Sequence, residues 1–351
     1  MKYLCTFFAV CFVAVTHADD VRLYSNRLQK LKNPGPLLND YPEFIHPLKE
    51  RQRFEAPALV MDKSADLCVR AWRFSYNARG IIEMPNRLQA AGTAIIVVHP
   101  WGIDDGQGWR TPEPAGVADF CTKEKNNLAA RHTRKVIGPL LNRLRPRIGF
   151  VMYSLPGSED PIRKKLYRSV RSTPTAQERQ TGTEELKDRL NSFAYQGSPL
   201  PTEFRLSNEV PVVDYFRQFP GLDANSPFNP EGFWKLPIPV TSDLKVHPQD
   251  VVIYDDEGYE TLRNFLKAHR IRHVLLAGYA TDMCYCRTTA GYENLRRDFN
   301  VFLVGDASLA TFPASDTPRI ATTAHLAFAS LQNLVTQTSW IKLHEGAKDK
   351  E

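Results

Sequence analysis

Five short apolar runs without polar alternation constrain this chain more than any other feature: residues 94–98 (AIIVV), 148–153 (IGFVMY), 251–254 (VVIY), 274–278 (VLLAG) and 301–304 (VFLV). A strand with one wet face alternates polar and apolar residues, whereas a strand covered on both faces does not. Between these runs the spacing turns helical. Leu128, Val136, Ile137, Leu140, Leu141 and Leu144 form one stripe over 126–145, and Leu262, Phe265 and Leu266 mark a helix over 261–269. Further helices are predicted over 283–297 and 318–334. Buried strands that alternate with helices give a parallel sheet with right-handed crossovers, so the fold class is α/β, a Rossmann-like three-layer α/β/α arrangement.

The rest of the chain divides around this core. Lys2, the apolar run 4–15 and Thr16-His17-Ala18 read as a signal peptide over 1–18, with an uncleaved N-terminal anchor as the other reading. The run is short for a membrane span and no other segment is apolar enough. The expectation is a secreted or periplasmic chain without a membrane span after cleavage. Residues 19–93 form an extension: 19–53, rich in Pro, Asn and charge, is expected to wrap the surface, and 56–84 to supply short accessory strands. The α/β domain spans 94–343, with a polar, Pro-rich insertion at 155–246 of the kind that carries lids or binding loops, and 344–351 is a charged tail. The formal charge of +6 is dispersed, so it reads as solvated surface and not as a patch for nucleic acid or membrane. Cys68, Cys121, Cys284 and Cys286 lie beyond residue 18. They are too few for a disulfide scaffold and include no C-x-x-C pair for zinc, while a Cys68–Cys121 bridge stays open.

In open parallel sheets, ligands bind beyond the carboxyl ends of the strands. The residues there are His99, Trp101 and Asp104 after the first run, Ser154 after the second, Asp255 after the third, and Tyr279 to Cys284 after the fourth. Cys284 opens a predicted helix, where free N–H groups and the macrodipole lower a thiol pKa. It is a candidate nucleophile, or else a small, inert core cysteine. His99 is a candidate proton acceptor for that thiol, or a structural turn histidine. Trp101, Asp104, Tyr279 and Ser154 are candidates for a substrate pocket. Asp104, Asp105, Asp255 and Asp256 suit a cation, though such acidic pairs on loops are more often helix caps and solvated turns.

The segment VLLAGYATDMC (274–284), followed by Thr288-Thr289-Ala290 and VFLVGDA (301–307), resembles the core signature of the isochorismatase-like cysteine hydrolases. That family includes nicotinamidases, N-carbamoyl amidohydrolases and isochorismatases. The resemblance covers about 94–334 apart from the insertion. It implies a mainly parallel six-stranded sheet and a Cys284 nucleophile helped by an Asp and a Lys. It also implies an oxyanion hole of backbone amides at Ala280, Thr281 and Cys284, around a non-proline cis peptide near Ala280 and Thr281. Two positions depart: the family's Asp is replaced by His99 and its Lys by Asp255. The nicotinamidase metal ligands have no counterpart, so no metal and no cofactor is expected. The reading is a hydrolase of a small amide, ester or other C–N substrate, with catalytic Cys284, His99 and Asp255. The alternative is an inactive scaffold that keeps the fold for binding, and a redox-sensitive Cys284 is a third reading. Self-association into a homo-oligomer is expected by resemblance alone.

Overall fold

The computed structural model describes residues 22–100, 123–192, 203, 205, 207–211 and 236–310. Its first four strands are β1 (Gln29–Lys30), β2 (Arg53–Glu55), β3 (Leu67–Ser75) and β4 (Gly80–Leu88), joined in the order β1-β2-β4-β3. Six further strands build the main sheet: β5 (Thr93–Val98), β6 (Phe150–Leu155), β7 (Arg168–Ser169), β8 (Val251–Tyr254), β9 (His273–Tyr279) and β10 (Asn300–Leu309). Their order is β10-β9-β5-β6-β8-β7, and every pairing is parallel. The helices are α1 (Lys123–His132), α2 (Gly138–Leu144), α3 (Pro161–Leu166), α4 (Ala176–Asn191), α5 (Tyr259–Ala268), α6 (Cys284–Arg287) and α7 (Tyr292–Leu295).

The apolar runs account for this layout. All six residues of β5 and all seven of β9 are buried, because helices cover both faces of the sheet. Successive side chains serve opposite cores. Ile95 and Val97 pack with Leu128, Val136, Ile137 and Leu141, whereas Ala94, Ile96 and Val98 pack with Leu262, Leu266, Tyr285 and Leu295. The predicted helix 126–145 is present but interrupted by a π turn at Thr133–Ile137. Pro139 explains the interruption: it has no N–H to donate one turn back, and the Gly138 N–H bonds Thr133 O in the wider register.

The predicted helix 283–297 is not continuous. It is two single turns, α6 and α7, separated by Thr288 to Gly291. Gly291 sits so close to the Cys286 carbonyl that a Cβ would lie 2.6 Å from its oxygen. The insertion also holds more structure than its polar sequence suggested. It carries α3, the edge strand β7 and the sixteen-residue α4. α4 buries only Gly182, so no apolar stripe betrays it, but its N-terminus is a complete capping box between Thr175 and Glu178. The end of the insertion enters the core through Leu236, Ile238, Val240 and Leu244. The predicted helix 318–334 and the segments 1–18 and 344–351 lie outside the described residues.

Accessory strands were expected over 56–84, and the β3–β4 hairpin lies there, its nine pairs running from Leu67↔Leu88 to Ser75↔Gly80. Glu83 of β4 is buried between Arg53 and Arg70, which ties β2 and β3 to it. Residues 19–53 do more than wrap the surface. Phe44 and Ile45 are buried in the main core, where Phe44 meets the His132 ring edge-on at 5.2 Å. Asp62 reaches the start of β9, bonding His273 Nε2 at 3.0 Å and Arg272 at 3.1 Å.

Two backbone positions, one at each end of β9, are sterically constrained. α5 ends in a Schellman turn just before the strand: Arg270 N–H bonds Lys267 O at 3.0 Å and Ile271 N–H bonds Leu266 O at 2.9 Å. The left-handed residue of that turn is Arg270, with φ of 59°, at a cost of about 1 kcal/mol relative to glycine. At the far end of β9, Gly278 has φ of 105°, and a Cβ there would lie 2.2 Å from the Val98 carbonyl oxygen. A Gly278→Ala substitution is therefore expected to destabilise the fold by about 3 kcal/mol, from overpacking added to backbone strain. Thermal unfolding measures this, and an unchanged midpoint would contradict the close approach.

Candidate active site

The parallel sheet delivers its strand ends to one edge, and three side chains meet there. β5 ends at Val98, and His99 follows with φ of 44°, a left-handed conformation that histidine tolerates better than bulkier residues. Its N–H bonds the Ser154 carbonyl at 3.0 Å, which fixes the turn against β6. The ring is buried at 5% exposure, and its Nε2 lies 2.8 Å from Asp255 Oδ2, immediately beyond β8. Cys284, the first residue of α6 beyond β9, lies near enough to influence the charge of the same ring. His99 is thus bonded to Asp255 and electrostatically coupled to Cys284.

The electrostatics follow from that geometry. Burial disfavours a charged imidazole, but the neighbouring Cys284 and Asp255 outweigh it and push His99 up to about 10. The macrodipole expected to activate Cys284 is small, because α6 is only four residues long. The charge beside the thiol comes from His99 instead. Cys286, two residues on, differs: it is buried, its thiol donates to Thr281 O at 3.1 Å, and burial pushes it up to about 12.

The remaining site candidates separate by position. Ser154 is fully buried, and its hydroxyl donates to Asp255 Oδ1 at 3.3 Å, so it supports the carboxylate. Tyr279, the other pocket candidate among the described residues, is also buried. Its side chain points into the core, and its hydroxyl meets His132 Nδ1 at 2.8 Å, Thr133 Oγ1 at 2.7 Å and Ala129 O at 3.2 Å. Of the expected oxyanion amides, Thr281 N–H is committed to Leu309 O at 3.0 Å, which leaves Ala280 and Cys284 from that set. The non-proline cis peptide is Tyr279–Ala280, one bond earlier than expected. Asp256 Oδ2 accepts from Ser158 Oγ at 2.7 Å. Trp101, Asp104 and Asp105 lie outside the described residues, as does Cys121, while Cys68 is an exposed free thiol. Among the described residues, no three His, Cys, Asp or Glu side chains gather as a metal site.

One contributor was missed. The Thr289 hydroxyl donates to the Asp255 carbonyl and so joins the segment after α6 to the end of β8. Its signal in the sequence was only the Thr288-Thr289 pair after the cysteine. The turn after His99 is held from the insertion, through Thr241 N–H to Pro100 O at 2.8 Å.

Residues 205–336 match the family model described as the isochorismatase domain. No curated protein matches the chain. Among solved structures, a cysteine hydrolase from Pseudomonas syringae pv. phaseolicola 1448A is 14% identical, with a TM-score of 0.32 over 70% of this chain and 86% of that one. The nicotinamidase SaPncA from Staphylococcus aureus is 10% identical, with a TM-score of 0.30 over 70% and 95%. PnC1 from L. infantum, solved with nicotinate, is 13% identical, with a TM-score of 0.29 over 69% and 92%. The family match, confined to residues 205–336, covers the segment that holds Asp255 and Cys284 and leaves His99 outside it.

Proposed function

We propose that the protein is an exported cysteine hydrolase that cleaves a small amide, ester or related C–N substrate. The observation that carries this reading is the buried His99, bonded to Asp255 at 2.8 Å and electrostatically coupled to Cys284. A structural histidine needs no thiol at its edge, and an inert core cysteine needs no imidazole. The three side chains together also favour an enzyme over a scaffold.

In this reading the resting site is a thiolate–imidazolium pair. Cys284 Sγ attacks the carbonyl carbon, and the amides of Ala280 and Cys284 receive the oxyanion. The C–N or C–O bond then breaks, and His99 gives its proton to the leaving group. Water attacks the thioester, returning a proton to His99 and its oxygen to the acyl carbon, and Cys284 leaves as thiolate. Asp255 keeps the ring oriented and charged throughout, much as the acid does in other triads. The family's Lys has no equivalent in this scheme, because the cation is His99 itself.

Iodoacetamide labelling tests the nucleophile. Cys284 is expected to label much faster than Cys286, which is buried and should stay unreactive in the folded protein. Equal labelling of the two would remove the basis of the proposal. His99→Ala is expected to lower turnover of a responsive small amide about 10²- to 10⁴-fold.

The ring can be followed directly by NMR of labelled histidine. His99 is raised above its unfolded value of about 6.5, so the pair adds stability that is complete below that pH and lost as pH rises through about 10. Cys284→Ala is expected to lower the His99 midpoint and to shrink this pH dependence of stability. An unshifted midpoint would show that the thiol and the ring do not interact.

A further inference from the structure

A second cluster lies at the opposite edge of the sheet. The last turn of α5, the start of β9, the end of α7 and the start of β10 line a wide-mouthed cleft of about 810 Å3. β9 spans seven residues, so the cleft lies roughly 20 Å from Cys284. Its floor is apolar, made of buried Ile271 and Phe299. Its rim is basic: Lys267, Arg270, Arg272, Arg296 and Arg297 all line it and are exposed, and Asp298 is the only acid in the lining among the described residues.

We infer that this cleft binds a multiply charged oxyanion, a small ligand that carries two or more phosphate or sulfate groups. Two of the five cations are already neutralised, Lys267 by Asp298 and Arg272 by Asp62. Arg270, Arg296 and Arg297 have no carboxylate within ion-pair distance among the described residues. Three like charges around one concavity repel each other until an anion joins them. The planar guanidinium fork suits bidentate capture of phosphate or sulfate oxygens better than a lysine ammonium does. Arg296 is already steadied over the Tyr292 ring, at 5.7 Å from its centroid.

Arg270 supplies an independent observation. It occupies the left-handed position of the α5 Schellman turn, where glycine is the less strained choice, and so aims a guanidinium into the cleft at the expense of the fold. The cleft lies within the usual size range of small-molecule sites, which favours a compact ligand over a duplex or a membrane surface.

Calorimetric titration of the full chain at low salt with tripolyphosphate, and separately with a trisulfated disaccharide, tests the inference. At least one should bind, and the preferred probe identifies phosphate or sulfate as the native chemistry. Arg297→Gln and Arg270→Gly should each weaken binding about tenfold or more. Arg270→Gly should at the same time raise Tm by about 2 °C, because glycine relieves the turn. Cys284 labelling should not change in either variant. The inference is overturned if neither probe binds at millimolar concentration, or if both variants bind as the wild type does.

Discussion

The candidate site depends on how closely β9 lies against β5. These two strands are central, parallel and buried on both faces, and at Gly278 the backbones approach within a distance that no side chain would permit. Because the strands are parallel, their carboxyl ends share one edge. Because they are this close, the residue after β5 and the turn after β9 share one small volume. His99 and Cys284, 185 positions apart in sequence, become neighbours through that packing. β8 brings Asp255 to the same edge, and the Thr289 and Ser154 hydroxyls hold it there.

The two departures from the family pattern acquire a joint meaning in this geometry. Taken separately, a histidine in place of the Asp and an aspartate in place of the Lys look like the loss of both helpers. Together they form a contact of 2.8 Å. The acid and the cation have exchanged strands, and the site keeps one of each. A carboxylate after β8 now supports a cation after β5, and burial makes the exchange effective, since the same pair in water would be worth little. His99 sits near Cys284 and so supplies there the local positive charge that a four-residue helix cannot.

The extension and the insertion serve the fold in ways their composition conceals. Phe44 and Ile45 plug the core under α1, and Asp62 anchors the start of β9. The segment from Leu236 to Leu244 closes the same core and pins the turn after His99. These are isolated apolar residues in polar surroundings, and a few buried side chains per loop leave no period to read. α4 was hidden for the opposite reason: it is polar almost all round, and only its capping box marked it. The α6–α7 break was equally silent, because it arises from the crowding of Gly291 against a carbonyl and not from local propensity.

Strand burial, strand order along the chain and the edge that gathers polar groups were determined by the sequence itself. Apolar runs of four to six residues with helical segments between them suit strands covered on both faces, and parallel strands end on one edge. The amino acids at that edge, with Cys284, His99 and Asp255 among them, were legible on the same ground. Tertiary structure decided which of them touch. Tyr279 turned into the core and Ser154 turned to the carboxylate, because side-chain direction depends on neighbours far away in sequence. It also decided where charge accumulates: arginines that are scattered between residues 270 and 297 converge at the opposite edge only because α5, α7 and two strand starts meet there. Hydrophobic period is a local property of the chain, whereas electrostatic partnership is a property of the packed molecule.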